Sequence, residues 1–411
     1  MRLASLVCVW SLVLVVAPAW AQDRVARLTL DEAVVLALRE NALLRAKGFE
    51  VQSVRAGETT AGVIPNPTAS FTSEKYGATT GVTENTFTVG QPIELGGKRG
   101  RRVDSARAAT KVTEQELADV RRQVVYQVKK AFTDALTARA ALALAEDNLK
   151  ALEDVERLQR LRAEKGDISE LELLRIQIAQ YQFLRDAADA RQALNSARTQ
   201  LRALVGPGRV AEDFELAGQL GFRELTLQRN ELYRLAIDNR PDIRAAEAAR
   251  AKARADVELA RANAWWDVTP QLEYKRTDTN ENTFGFGFSI PLRVFDRNQG
   301  EIERTRAEVN RIDALRQAVA VQALSEVDTA FGALASERDK VIKLRDTYLP
   351  MAQRARETVE FAYRRGGVSL LDFLDAQRTY RETSLEHLRA LGNYWTAVYQ
   401  LEAAVGGPLE K

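Results

Sequence analysis

The stretch Arg365-Gly366-Gly367-Val368-Ser369 decides the fold, because Lys165-Gly166-Asp167-Ile168-Ser169 carries the same pattern 200 residues earlier. Glycine readily adopts the left-handed backbone conformation that ends a helix, and a serine three residues later can cap the N-terminus of the next helix. Both stretches therefore predict a tight turn that joins two helices.

Further matching segments extend over the whole chain. They are Leu28-Thr29-Leu30 with Leu225-Thr226-Leu227, Asn85-Thr86-Phe87 with Asn282-Thr283-Phe284, and Leu201-Arg202-Ala203-Leu204-Val205-Gly206 with Leu401-Glu402-Ala403-Ala404-Val405-Gly406. Their separation stays between 197 and 200 residues, which chance similarity between alanine-rich helices does not explain. The chain is therefore one structural unit present twice in tandem.

Each copy predicts a helix, two strands, a very long helix, the tight turn and a return helix. The first helices are predicted over 30–62 and 226–264, and each stops before a proline, Pro65 or Pro270. The long helices are predicted, without interruption, over 98–163 and 299–365, and the return helices over 168–204 and 368–405. A helix of about 65 residues is about 100 Å long, which no compact domain needs.

The predicted strands cover Thr68–Tyr76, Asn85–Leu95, Val268–Thr277 and Asn282–Leu292. In the last of them Phe284, Phe286 and Phe288 alternate with Gly285 and Gly287, which places the aromatic rings on one face. Strands of about ten residues suit a tilted crossing of a lipid bilayer. A half-buried hairpin in a soluble domain is an open alternative.

The N-terminus has the pattern of a secretory signal peptide. Arg2 precedes the apolar run 6–16, and Ala19-Trp20-Ala21 forms a cleavage site ahead of Gln22. Because Cys8 lies inside this segment and not at the cleavage point, lipidation through Cys8 is not expected. The predicted division is a signal peptide over 1–21, a first repeat over 22–208 and a second over 209–411.

Composition excludes several classes of protein. The 59 Lys and Arg residues nearly balance the 57 Asp and Glu residues, so nothing indicates a nucleic-acid partner. Charged residues interrupt every helical segment after the signal, which predicts no membrane-spanning helix. There is one histidine, His387, no cluster with metal-ligand spacing, and no catalytic motif, so we expect no enzyme, no cofactor and no bound metal.

Four strands cannot close a barrel, and a closed barrel is the β-architecture that leaves no unpaired edge in lipid. Two copies would supply eight strands, which side chains fill, whereas three would supply twelve and leave room for a wet pore. The strand count therefore predicts an oligomer.

The chain resembles the outer membrane efflux protein family, the TolC-like outer membrane factors. The resemblance is carried by Gln91-Pro92-Ile93-Glu94-Leu95-Gly96-Gly97-Lys98-Arg99 and by the segment 366–377, Gly-Gly-Val-Ser-Leu-Leu-Asp-Phe-Leu-Asp-Ala-Gln. With Pro65-Asn66-Pro67 upstream, the first segment is most similar to the heavy-metal branch typified by CzcC and CusC.

That resemblance implies a mainly α-helical homotrimer with a twelve-stranded transmembrane β-barrel, four strands from each protomer, above a periplasmic α-barrel. It implies the outer membrane of a Gram-negative bacterium, contact with outer-membrane lipid, a periplasmic adaptor and an inner-membrane pump of the resistance-nodulation-division (RND) type. The channel would be a passive exit duct for the pump's substrate.

The resemblance also implies an acidic gate at the periplasmic tip. Asp372 and Asp375 match the D-x-x-D-A pattern of the family, and Glu172 stands in the place of Asp372 in the first repeat, where Arg175 replaces the second acid. The glycine turns are the natural surface for an adaptor, through Gly166, Ile168, Ser169, Gly366, Gly367, Val368 and Ser369. Solvated surface charge and internal sealing of the hairpins are the alternatives for these two groups.

The cargo suggested by this branch is a divalent cation of the cobalt, zinc or cadmium type. Copper or silver is less expected, because the chain has no methionine cluster and no lipid-anchor cysteine. A drug-efflux or type I secretion channel of the same fold is the alternative. A soluble periplasmic coiled-coil adaptor or scaffold is the alternative from a different class.

Overall fold

The computed structural model describes residues 25–77 and 81–409. The predicted signal peptide 1–21, Cys8 and Gln22 lie outside the described residues. None of the helices within the described ranges has a stretch long and apolar enough to cross a membrane.

The helices and the long strands follow one order in the two repeats. The first repeat contains β1 (Val25–Leu28), α1 (Leu30–Glu40), α2 (Ala42–Ala61), β2 (Thr68–Tyr76), β3 (Val82–Gly90), β4 (Ile93–Glu94), α3 (Lys98–Glu164) and α4 (Glu170–Val205). β5 (Val210–Leu216) lies just beyond the predicted boundary at 208 and pairs with β1. The second contains α5 (Arg229–Asn239), α6 (Pro241–Asn263), β6 (Asp267–Thr277), β7 (Asn282–Ser289), α7 (Gln299–Lys343), a π-helical turn (Leu344–Tyr348), α8 (Leu349–Arg364) and α9 (Leu370–Val405). The tandem arrangement is confirmed.

The prediction of one first helix per repeat is wrong. In the first repeat Asn41 has extended backbone, and its side chain accepts from the amides of Leu43 and Leu44, so one helix ends and another begins there. In the second repeat Pro241 occupies the first turn of α6 after the extended Arg240. Proline is favoured at a helix start and cannot continue the preceding helix.

The long helix of the first repeat is continuous, whereas the prediction of an uninterrupted helix over 299–365 is wrong. Leu349 donates its amide to the carbonyl of Leu344, five residues back, and Pro350 has no amide to donate. The π-helical turn holds one extra residue. Before it, Ala131-Phe132 corresponds to Ala330-Phe331, 199 residues later, whereas the glycine turns are 200 residues apart.

The four predicted long strands form one antiparallel sheet in the order β2-β3-β6-β7. β3 pairs with β6 across the repeats, with Phe87 opposite Tyr274. The predicted ends over 85–95 and 282–292 are wrong, because β3 stops at Gly90, before Pro92, and β7 stops at Ser289, before Pro291. The end of the predicted strand 85–95 is a separate short strand, β4, which pairs with β6. Among the described residues, two further short strands, β1 and β5, were not predicted, and they pair in parallel with each other.

One face of the sheet carries exposed aromatic side chains. Phe284, Phe286 and Phe288 are 82%, 73% and 68% exposed, as the alternation in the sequence predicts. Leu272 on the neighbouring strand β6 and Phe71 on the far edge strand β2 are also exposed. At the border between sheet and helices, Trp265 and Phe295 are exposed as well. This apolar surface has no covering element within the described chain.

The segment 91–99 builds the junction between the sheet and α3. Lys98 is buried and its Nζ donates to Asp267 at 2.7 Å, while the amide of Leu95 donates to the same carboxylate at 3.1 Å. Gly96 has φ +71°, and a Cβ there would lie 2.7 Å from the Trp265 side chain. The junction therefore requires glycine at this position, both for backbone conformation and for space.

Below the junction the helices form a wall. α3 packs against both α4 and α9, and α9 packs against α7 and α8, which gives the order α4-α3-α9-α8. Each repeat has its own buried cluster, and the long helices contribute equivalent positions: Val128 and Ala131 in one, Val327 and Ala330 in the other. The two glycine turns lie together at the far end of this wall.

Candidate functional site

The two hairpin tips close by the same local geometry. Gly166 and Gly366 have φ of +79° and +78°. After each of them one amide reaches back to the last helical turn, from Asp167 to the Arg162 carbonyl and from Gly367 to the Ala362 carbonyl, both at 2.9 Å. These bonds satisfy carbonyl groups that the helix end would leave without partners. The tips predicted from the sequence are therefore real turns.

Asp372 takes part in capping α9. Its Oδ2 accepts from the Ser369 amide at 3.1 Å and from the Ser369 hydroxyl at 2.7 Å, and its own amide donates to the Ser369 hydroxyl oxygen. These bonds, first the one from the Ser369 hydroxyl and then the one from its amide, lower the pKa of the Asp372 carboxyl. The S-x-x-D pattern at 369–372 is a capping-box signal that the sequence analysis missed.

Asp375 lies one turn further along α9 and faces solvent. Its nearest cation is Arg378, 3.6 Å away, and both side chains are largely exposed. Such an ion pair contributes little to stability. The Asp375 carboxylate is therefore not required by the local fold, unlike that of Asp372.

Glu172 connects the two hairpins. The hydroxyl of Tyr363 on α8 donates to Glu172 Oε1 at 3.2 Å, and Arg162 Nη2 donates to the Arg364 carbonyl at 3.0 Å. Tyr363 is only 4% exposed and stacks on Phe373 with ring centroids 4.9 Å apart. Burial, followed by the charge of Glu172, raises the pKa of the Tyr363 hydroxyl. Sequence reasoning missed Tyr363, since nothing in the sequence places it opposite Glu172.

A pocket of about 540 Å³ lies between the tips. Of the residues predicted for adaptor contact, Ile168, Ser169, Gly366, Val368 and Ser369 line it, whereas Gly166 and Gly367 do not. Leu171 and Leu371 also line it and are exposed. Arg162, Asp167, Glu172 and Arg175 add charges of both signs.

No group of three or more His, Cys, Asp or Glu side chains in the described ranges is arranged to hold a metal ion. His387 is half-buried on α9, and burial, with the charge of Arg345, lowers its pKa. The ring packs near Arg345 of the π-helical turn.

Comparison with known proteins gives a consistent answer over nearly the whole chain. The family model described as outer membrane efflux protein matches residues 33–207 and again 232–407. The chain is 29% identical over 391 residues to the cobalt-zinc-cadmium resistance protein CzcC of Cupriavidus metallidurans, covering 95% of this chain and 92% of that one.

Two further similarities extend the comparison. The chain is 24% identical over 409 residues to the outer membrane efflux protein BepC of Brucella suis, covering 92% of this chain and 85% of that one. A crystal structure of CusC superposes with a TM-score of 0.77 at 19% identity, covering 92% of each chain. At that identity the superposition shows the shared fold.

Proposed function

We propose that this chain, which belongs to the outer membrane efflux protein family, is the outer-membrane channel of a tripartite efflux pump. It acts as a passive exit duct, without catalysis of its own, for substrate that an RND-type inner-membrane transporter delivers through a periplasmic adaptor. The observation that carries this proposal is the four-stranded sheet, with an exposed aromatic face and two unpaired edges, above a helical wall with two exposed apolar sides.

The sheet edges support a homotrimer. β2 and β7 are the outer strands of the sheet, and each has one neighbouring strand among the residues that the structure describes. If β7 of one copy pairs with β2 of the next, three copies close a twelve-stranded barrel with lipid against Phe284, Phe286 and Phe288. Closure also removes the unpaired backbone groups that a membrane does not tolerate.

The sides of the helical wall support the same assembly. Leu171, Leu174, Ile178 and Tyr181 are exposed on α4 and have the 3-4-3 spacing of a coiled-coil seam. At the opposite side, Tyr348, Met351 and Phe361 are exposed on the helix that leads to the second tip. Packing of α4 from one copy beside α8 of the next would continue the order α4-α3-α9-α8 around a closed α-barrel.

The assembly is tested by Ile178→Glu. A charge buried in this seam should prevent trimer formation, whereas Gln200→Glu, an exposed position on α4 outside the seam, should leave it intact. Light scattering of the detergent-purified protein measures the mass. A wild-type monomer at micromolar concentration, or a trimer that Ile178→Glu does not weaken, would contradict the proposed interface.

We infer that the acidic gate consists of Asp375 and Glu172, with Asp372 beside them. Three copies would turn each acid into a ring of three carboxylates, which favours cations over anions. The exposure of Asp375 and the bond from Tyr363 to Glu172 support this role. The adaptor would contact the pocket between the tips, where Val368 and Ile168 offer apolar surface beside the two glycine turns.

The similarity to CzcC supports divalent cations of the cobalt, zinc or cadmium type as cargo. A drug-efflux or type I secretion channel has the same fold, so the cargo needs a direct test. Deletion of the gene should increase sensitivity to these metals, and the wild-type gene should restore resistance. Sensitivity to organic drugs alone would assign the channel to another branch.

The remaining inferences concern targeting and domain boundaries. The signal-peptide pattern and the family support cleavage after Ala21, export without a lipid on Cys8, and a channel whose helical part extends into the periplasm. Repeats over 22–208 and 209–411 agree with the two family matches, which each lie inside one of them.

A further inference from the structure

A groove of about 560 Å³ runs along the helical wall, with lining residues from α3, α4 and α9. Small apolar side chains line it, among them Ala138, Ala141 and Ala145 of α3 and Ala190 of α4, with Leu385 on α9. Its volume lies within the range of about 300–1,000 Å³ that small-molecule sites occupy. All three helices belong to one chain, so the groove does not depend on a neighbouring copy.

The alanines that α3 contributes to the groove have charged counterparts in the second repeat. There Glu337 and Lys340 stand at the positions of Ala138 and Ala141, 199 residues later, and form an ion pair at 2.7 Å. Long charged side chains therefore replace the alanines that leave the groove open.

Asn148 supplies a polar group without a partner. It lines the groove, it is only 5% exposed, and its Nδ2 has no hydrogen-bond partner within residues 25–77 and 81–409. Buried amide groups are rarely left unsatisfied. An acceptor atom of a bound molecule would complete the hydrogen bonding of this side chain.

One carboxylate of the groove differs from the others. Three of the four carboxylates in the lining lie beside cations: Asp134 binds Lys130 at 2.7 Å, Asp186 binds Arg381 at 2.7 Å, and Glu382 lies 3.7 Å from Arg378. Asp189, by contrast, has no ion pair with any residue that the structure describes.

The alignment of the helices places Asp189 and Arg389 at different ends of the groove. Arg191, two residues from Asp189, binds Glu146 at 2.7 Å, which places Asp189 at the same end as Asn148. Gly392 packs on Thr137, so Arg389 lies at the other end of the groove. The end with Asn148 therefore offers the Asp189 carboxylate and an amide donor together, next to the ion pair of Arg381 with Asp186.

We propose that this groove binds a small cationic amphiphile. Its apolar body would lie on the alanines of α3, its cation beside Asp189, and a carbonyl or ether oxygen would accept from Asn148 Nδ2. The site goes beyond export itself, because it takes a ligand of a chemical class unlike a hydrated metal ion. Its occupation does not require the proposed channel function.

Rhodamine 6G, a cation with an apolar body and an ester carbonyl, is a suitable probe. Fluorescence anisotropy of the dye should show saturable binding to the full-length protein in lipid nanodiscs, above the signal from empty nanodiscs. Ala141→Trp should fill the groove and abolish saturable binding. Ala143→Trp, two residues away, exposed and outside the groove, should bind like wild type.

A second variant tests the amide without filling the groove. Asn148→Leu removes the donor and should weaken binding about fivefold to tenfold, the loss expected for one hydrogen bond. Fluorescein, an anionic dye of similar shape, should not bind. If rhodamine 6G shows no saturable binding to the wild-type protein, the groove holds only water. If all three variants bind the dye with equal affinity, the dye binds at another site. Either result overturns the proposal.

Discussion

Tyr363 is one of the residues that link the two hairpins of one chain at their tips. Its ring is buried against Phe373 and its hydroxyl donates to Glu172 on the other hairpin. Stacking and hydrogen bonding are separable here, because phenylalanine retains the ring and removes the donor. The residue therefore connects packing of the second tip to the position of an acid on the first.

Tyr363→Phe should loosen the tips without unfolding them. Loss of one hydrogen bond costs about 1 kcal/mol, which corresponds to about fivefold faster amide exchange in a locally opening segment. Hydrogen exchange followed by mass spectrometry over 160–175 measures the effect. Tyr380→Phe, on α9 with its ring beside Arg356, is the control, and equal exchange in both variants would contradict a link through Tyr363.

At the scale of elements, the π-helical turn accommodates a difference in length between the long helices of the two repeats. It absorbs the one residue by which the second long helix exceeds the first between the shared Ala-Phe pair and the glycine turn. Without it, every side chain beyond the turn would be rotated by about 100° around the helix. Tyr363 would then no longer face Glu172.

Deletion of Thr347 tests this explanation. Removal of one residue within the π-helical turn should leave an α-helix with both tips still in register, so the melting temperature should change little. Deletion of Lys150, an exposed residue of the continuous helix α3, should lower it strongly, because no turn can absorb the change. Equal destabilisation by both deletions would contradict the explanation.

The sequence predicts elements well where the signal is local. The glycine turns, the serine caps and the alternating phenylalanines each act within a few residues, and the structure confirms them. Asn41 was missed because its capping role depends on two following amides inside an apolar run, and its Nδ2 bonds the distant Leu204 carbonyl at 3.1 Å. Tyr363 and Asn148 depend on which helices become neighbours, and the spacing of residues along one helix does not contain that information.

At the scale of the whole molecule, a single chain leaves three of its surfaces without a packing or hydrogen-bonding partner among the described residues. Its sheet has two open edges, its helical wall has two apolar sides, and the aromatic face of the sheet is uncovered within the described residues. A closed trimer in a membrane satisfies all three at once, since strands pair with strands, seams with seams, and aromatic rings with lipid. Assembly and membrane insertion are therefore expected to depend on each other.

Single-channel conductance in planar bilayers tests the central claim most directly, with the wild-type trimer compared with Asp375→Ala and with Asp372→Ala plus Asp375→Ala. Asp375→Ala removes one proposed ring of carboxylates and leaves the N-terminal cap of α9 intact. The effect of the gate charge can therefore be measured without a change in the local fold. We predict a small, cation-favouring wild-type current that grows in Asp375→Ala and grows further in the double variant. No current from correctly assembled trimers of any of the three forms would contradict the channel.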